Sequence, residues 1–235
     1  MNIYSNITQT AQLIGDATRM SILMDLSGMH ALTASELAKS ANVSPQTASS
    51  HLKKLIEGNL IIVRRQGRFR YYQLSNEEVA KAIESIANVS GPLVSNSLND
   101  FTKKKKLEFA RTCYGHLAGE LGVKITKALM TKGYIKETDN SRYKLTHDGE
   151  LWISKLGINI AKLNINVHSL PLHIDWTVRQ NHLAGPLSLA LTKKFLELGW
   201  LREGNMKREI ILTPYGKKAL CEELNWFCCK VKKYS

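Results

Sequence analysis

A chain of 235 residues with 43% hydrophobic and 23% charged residues has a globular composition, and is long enough for one large core or two modest ones. Collagen-like, low-complexity and disulfide-scaffold classes are thereby excluded, and no stretch approaches the roughly 18 uncharged apolar residues of a membrane-spanning helix. Thirty-three lysines and arginines against 20 acids leave a net +13, which asks for a polyanionic partner, nucleic acid before membrane.

The first ten residues, MNIYSNITQT, lack the basic and apolar regions of an export signal. Four cysteines, Cys113, Cys221, Cys228 and Cys229, do not make a secreted framework, so the reducing cytoplasm is the expected compartment. Ile7, Ala11, Ile14, Ala17, Ile22 and Leu26 keep a helical spacing that breaks around Asp16 and Thr18, predicting two helices or one bent helix closed by Gly28. Residues 35–42 predict a short helix with Thr33 or Ser35 as its cap. After a tight turn, Ser44 stands at an N-cap. Pro45 follows at the first helical position, where its missing N–H costs nothing, and the helix runs to about Glu57 before Gly58 stops it.

On that helix Ala48, Leu52 and Leu55 share one face, while Gln46, Ser49, Ser50 and Lys53 share the opposite one. The outward side chains can exchange hydrogen bonds with base edges, and Thr47 and Lys54 on the flanks suit phosphates. Two β-rich runs, 60–65 and 69–74, are joined across Gln66-Gly67-Arg68 and form a hairpin with Arg64, Arg65, Arg68 and Arg70 around its tip. Two short helices, a tight turn and a basic hairpin make a winged helix-turn-helix, whose second helix enters the major groove of double-stranded DNA while the wing grips the backbone.

Over residues 5–90 the sequence resembles the ArsR family of bacterial transcriptional repressors. The matching strings are Asp16-Ala-Thr-Arg19-Met-Ser-Ile-Leu23, Glu36-Leu-Ala, Ser44-Pro-Gln-Thr-Ala-Ser-Ser-His51-Leu-Lys-Lys-Leu, Gly58-Asn-Leu-Ile and Gly67-Arg-Phe-Arg-Tyr-Tyr. The resemblance implies a homodimer on a two-fold-symmetric operator. Its interface would use the first helix and the helix after the wing, about 76–88, with Val79, Ile83, Ile86 and Ala87 as the apolar seam. Family members that sense metals carry ligands around the first helix of the helix-turn-helix motif or on the dimerisation helix. Here both regions lack Cys and His, which disfavours metal sensing in this domain. His51, beside the core face, is read as structural or phosphate-contacting.

Residues 91–106, ending in Lys103 to Lys106, read as a linker that closes an N-terminal domain of residues 1–90. The lysine run is either a solvated helix start or a DNA contact. Residues 107–235 contain a duplication. His116-Leu-Ala-Gly recurs 66 residues on as His182-Leu-Ala-Gly, Ile125-Thr-Lys as Leu191-Thr-Lys, and Gly133-Tyr-Ile-Lys as Gly199-Trp-Leu-Arg; Leu145-Thr146 matches Leu212-Thr213 one residue out of step. Each copy, about 107–165 and 173–230, predicts a helix starting near His-Leu-Ala-Gly, two strands and a Thr-capped helix, the back half of a winged helix. Packing between them is expected around Tyr134, Trp152, Trp200 and Trp226. The fold class is thus mainly α with small β-hairpins: a winged helix-turn-helix followed by a duplicated winged-helix-like C-terminal domain.

The Cys-Tyr-X-His-Leu-Ala-Gly and Asp-Trp-Thr…His-Leu-Ala-Gly strings resemble a subgroup of ArsR-like regulators with an added C-terminal domain. Those relatives carry a cysteine before a Leu-Asp-Trp stretch, where this chain has His173-Ile-Asp175-Trp176. Cys113, His116, His173 and His182 are candidates for an effector or redox site: Zn²⁺ or Cu⁺ ligands, or a thiol sensing an oxidant. The alternative is that each histidine caps or satisfies the start of its helix and that Cys113 is a small buried residue. An aromatic cleft between the repeats would suit a small apolar effector, and Cys228-Cys229 could hold a soft ion or simply pack. No residue is assigned to catalysis and no cofactor is required, because glycine loops for nucleotides, His-Glu-X-X-His and Gly-X-Ser-X-Gly are all absent from the sequence. The expected function is a sequence-specific DNA-binding transcriptional regulator, a repressor of palindromic operators with a responsive C-terminal domain. The alternative is a winged-helix adaptor for protein or RNA without operator preference. Charge does not favour the DNA-reading part: residues 1–106 hold 13 basic and 8 acidic residues, and residues 107–235 hold 20 and 12.

Overall fold

The break near Asp16 separates α1 (Ser5–Ile14) from α2 (Ala17–Leu26), and Asp16 causes it: its extended backbone ends one helix, and its carboxylate accepts the Arg19 N–H at 2.9 Å to start the next. The structure is a computed structural model that describes residues 3–28, 31–91, 98–138 and 142–225, in two units, Met1–Ser90 and Gly91–Ser235. In the first unit follow β1 (Leu32–Thr33), α3 (Ala34–Ser40), α4 (Pro45–Glu57), β2 (Ile61–Gln66), β3 (Phe69–Leu74) and α5 (Glu77–Val89). Thr33 is the cap of α3, in a reciprocal box with Glu36. Antiparallel β2 and β3 turn on Gly67 and Arg68, and β1 joins the free edge of β3, so the wing has three strands.

Within this unit Ile83 is fully buried, together with Ala80, so it belongs to the unit's own core and not to the seam expected of α5. Ile86 and Val89 one turn on are exposed, as is Ile7 of α1.

The second unit begins earlier than the composition indicates. Of the stretch read as a linker, 98–106 lies in α6 (Leu98–Phe109), and Lys103 to Lys106 fall in the middle of that helix rather than at its start. Lysine is a good helix former, and the polar run left no apolar spacing to show that the helix begins as early as Leu98. One of the four, Lys106, reaches the buried carboxylate of Glu209 at 3.1 Å.

Next come β4 (Arg111–Cys113), β5 (His116–Ala118), α7 (Gly119–Thr131), β6 (Ile135–Glu137), β7 (Tyr143–Leu145) and α8 (His147–Lys155). After a 3₁₀ turn (Ile160–Leu163), the same order returns as β8 (Leu172–Ile174), β9 (Asn181–Leu183), α9 (Gly185–Glu197), β10 (Leu201–Glu203), β11 (Ile210–Leu212) and α10 (Pro214–Leu224). Each repeat is therefore hairpin, helix, hairpin, helix. His-Leu, expected to open a helix, lies in the second strand of the leading hairpin in both copies, and the helix starts at the glycine of the same motif.

The two copies embrace through one hydrogen bond made twice. Thr126 Oγ1 on α7 accepts the Leu183 N–H at 2.8 Å, and Thr192 Oγ1 on α9 accepts the Leu117 N–H at 3.0 Å, an exchange that relates the repeats by an approximate two-fold. Thr146 and Thr213 cap α8 and α10, and Gly149 and Gly216 let those helices approach the preceding strand: a Cβ there would lie 2.2 Å from the Tyr134 carbonyl oxygen and 2.0 Å from that of Trp200. One apolar core serves both copies, with Tyr134 stacked on Trp152 and Phe195 on Trp200. Trp226, Cys228 and Cys229 lie outside the described residues.

Candidate functional site

The face expected to read DNA is built by local signals. Ser44 accepts the Thr47 N–H at 3.1 Å and Pro45 opens α4, whose buried residues are Ala48, Leu52 and Leu55. That fixes the rotation of the helix, leaving Gln46, Thr47, Ser49, Ser50, Lys53 and Lys54 exposed. Lys53 lies 3.8 Å from Glu57 in a solvent-exposed pair, a contact weak enough to exchange for a nucleic-acid acceptor. The Thr47 hydroxyl is 2.9 Å from that of Ser44. His51 stands 3.4 Å from the carboxylate of Asp16 and so links α4 to the start of α2, a structural role. The Arg19 amide donating to Asp16 holds its carboxyl below the usual carboxylate range against a smaller opposing effect of burial, and the charges of Arg19 and His51 assist.

In the wing, Arg64, Arg65, Arg68 and Arg70 are all exposed, and Arg65 lies directly opposite Arg70 in the ladder. Two like charges paired across strands destabilise a hairpin, and among the described residues none of the four arginines has an acidic partner. Arg68 stacks over Phe69, 5.0 Å from the ring centre. The tip thus concentrates positive charge at the surface.

In the C-terminal unit Cys113, His116, His173 and His182 do come together. Their ligand atoms all lie within 4.8 Å of one another; Cys113, His116 and His182 are buried and His173 is half-buried. None of the three histidines is an N-cap: His173 lies in β8, and His116 and His182 sit in strands ahead of Ala118 and Ala184, the N-cap residues. Cys113 is the cross-strand partner of His116, and His173 of His182, so each leading hairpin presents one pair. The first hairpin turns on Tyr114 and Gly115, both at positive φ, the primed turn that a two-residue connection favours. Between the repeats, a cavity lined by Leu117, Ile125, Leu183 and Phe195 among others has a volume of about 20 Å³, room for one water rather than an organic effector.

A helix-turn-helix domain family matches residues 14–64. The HTH-type transcriptional regulator YdfF of Bacillus subtilis is 40% identical over 94% of this chain and 97% of its own length. The chain belongs to the ArsR-type helix-turn-helix transcriptional regulators. The arsenical resistance operon repressor of Staphylococcus xylosus is 31% identical over 32% of this chain and 70% of its own, and KmtR of Mycobacterium tuberculosis 30% over 37% and 68%. Among solved structures, NolR from Sinorhizobium fredii is similar over 37% of this chain and 85% of its own, with 26% identity and a TM-score of 0.34.

This ArsR-type regulator also holds a buried ion pair that motif reasoning passed over. Arg111 donates to Asp175 at 2.8 Å, and their side chains are 1% and 0% exposed. Asp175 also accepts the Gly119 N–H, and its second oxygen accepts from Thr177 and Val178; the guanidinium donates to Thr177 and lies 4.4 Å from the Trp176 ring centre. Burial works to raise the Asp175 pKa, but Arg111 and these donors outweigh it and leave it below the usual carboxylate range. Asp-Trp-Thr is thus a sleeve around Arg111 that fastens the loop between β8 and β9 onto the first repeat. The signal was present in the sequence as an arginine within the strand Arg111-Thr-Cys.

Proposed function

We propose that the protein is a homodimeric repressor that reads a two-fold-symmetric operator through α4 and holds the flanking backbone with its wing, in the cytoplasm. The arginine pair at the wing carries this reading: two cations opposed across a ladder, with no acid, are stabilised by a phosphate backbone. Gln46, Ser49, Ser50 and Lys53 contact bases, while Thr47, Lys54, Arg64, Arg68 and Arg70 hold phosphates. Exposed Ile86 and Val89 on α5 and Ile7 on α1 supply apolar surface for the dimer, which aligns two copies of α4 with the half-sites. The kinship with arsenical resistance operon repressors supports repression, and the C-terminal unit is the part that responds to an effector.

The test is selection of fragments of the host genome by the purified protein. Enrichment of sites sharing an inverted repeat is expected, from a protein that sediments as a dimer. Retention of random fragments without enrichment would leave a non-specific winged-helix adaptor and overturn the proposal.

A further inference from the structure

We propose that the C-terminal unit binds one d¹⁰ metal ion, Zn²⁺ or Cu⁺, between its two repeats through Cys113, His116, His173 and His182. The inference is independent of how α4 meets DNA.

Three observations carry it. First, the donors converge: one thiol and three imidazoles from positions 113 to 182 have their ligand atoms within 4.8 Å of one another. A tetrahedron with Zn–N near 2.0–2.1 Å and Zn–S near 2.3 Å has edges of roughly 3.3–3.6 Å, so closure on an ion needs side-chain shifts of about an ångström. Second, their chemistry is selective. The cluster contains no carboxylate, which disfavours Mg²⁺ and Ca²⁺, and thiolate with imidazole is the set that Zn²⁺ and copper share.

Third, the placement follows the duplication. Each repeat contributes one cross-strand pair, Cys113 with His116 and His173 with His182. The reciprocal Thr126 and Thr192 bonds fall on Leu183 and Leu117, the residues immediately after His182 and His116. The ring centres of His116 and His182 are 5.4 Å apart, and His173 lies 5.1 Å from His116. Two donors from each side of an approximate two-fold give a closed four-ligand site of the kind that stabilises a fold, with no position open for a reacting water. An ion there joins the leading hairpins, so its occupancy sets how firmly the repeats are held together.

The two ions differ in charge balance. One thiolate neutralises Cu⁺ and leaves Zn²⁺ with one net positive charge, whereas four donors in tetrahedral array suit Zn²⁺. The step is a simple exchange in either case: the Cys113 thiol releases its proton to solvent and its sulfur takes up the ion.

The experiment is titration of the full-length, metal-stripped protein. One arm uses Zn²⁺, with Co²⁺ as its spectroscopic substitute; the other uses Cu⁺ without oxygen, against a chromophoric chelator. The expected result is one equivalent per chain in one of the arms, with a thiolate-to-metal charge-transfer band. That signal is retained in the Cys228→Ser/Cys229→Ser double variant and lost in Cys113→Ser and His116→Gln. If those two variants fail to fold, alkylation of Cys113 in the unaltered protein, followed by mass spectrometry, gives the answer: the bound ion slows it at least tenfold. No stoichiometric ion in either arm, a signal that disappears with Cys228 and Cys229 but persists in Cys113→Ser, or alkylation of Cys113 indifferent to the ion would each overturn the proposal.

Discussion

The two units put their functional side chains in opposite places. In the N-terminal unit every residue assigned to DNA is exposed, and the buried apolar triad of α4 fixes which face of the helix that is. In the C-terminal unit the groups with chemistry lie inside: a buried arginine–aspartate pair, and a thiol among imidazoles. A polyanion is read by donors left available in water, while a small ion is held by donors withdrawn from it. Substitutions of these side chains should therefore separate, the exposed ones of the first unit changing recognition without stability and the buried ones of the second changing stability above all.

The largest effect is expected at Arg111. Arg111→Ala leaves Asp175 charged and buried, and should cost about 3–5 kcal/mol. Urea unfolding followed by tryptophan fluorescence reads this unit alone, because all four tryptophans lie beyond residue 150. Gly216→Ala comes next: its Cβ would meet the Trp200 carbonyl oxygen at 2.0 Å, and the adjustment should destabilise the same transition by about 1–3 kcal/mol. In the N-terminal unit Ser44→Ala removes the cap of α4, and thermal unfolding should show about 1 kcal/mol lost while the tryptophan transition stays in place.

Acid gives a smaller and graded test. Burial raises the Glu209 pKa, but the Met206 amide and Lys106 more than offset it, leaving the folded value below the ordinary 4.5. The group thus favours the folded state fully above the unfolded value, and that contribution disappears as pH falls from 4.5 through the lowered folded one. Asp16 acts in the same direction in the first unit, from 3.8 downward. A Glu209→Gln variant should accordingly lose part of the acid sensitivity of the tryptophan transition. An unchanged pH profile would remove Glu209 from the account.

Legibility in the sequence followed the range of the interactions. Everything that sets α4 is contained in fifteen consecutive residues, cap, proline, apolar triad and terminal glycine, so its face could be read directly. The leading hairpins could not be read that way. Three-residue strands such as His116–Ala118 are too short to show alternation, and the helix after them begins at once, so His-Leu-Ala reads as the start of the helix. Residues 98–109 were obscured by four lysines in a row. For Cys113, His116, His173 and His182 the residue types were visible but their meeting was not, since sequence separation does not encode contact. The duplication held the missing information: His116 and His182 are equivalent positions of two copies, and copies that exchange hydrogen bonds about a two-fold bring equivalent positions face to face.

The proposed division of labour, in which the exposed face of α4 selects sequence while the wing supplies affinity, is tested most directly by measuring binding to the selected operator and to random DNA over a series of salt concentrations. Gln46→Ala or Lys53→Ala should narrow the preference for the operator by about 1–3 kcal/mol with unfolding unchanged, whereas Arg68→Ala should weaken both DNAs alike and reduce the salt slope by about one. Operator preference and salt slope untouched by all three substitutions would contradict the account.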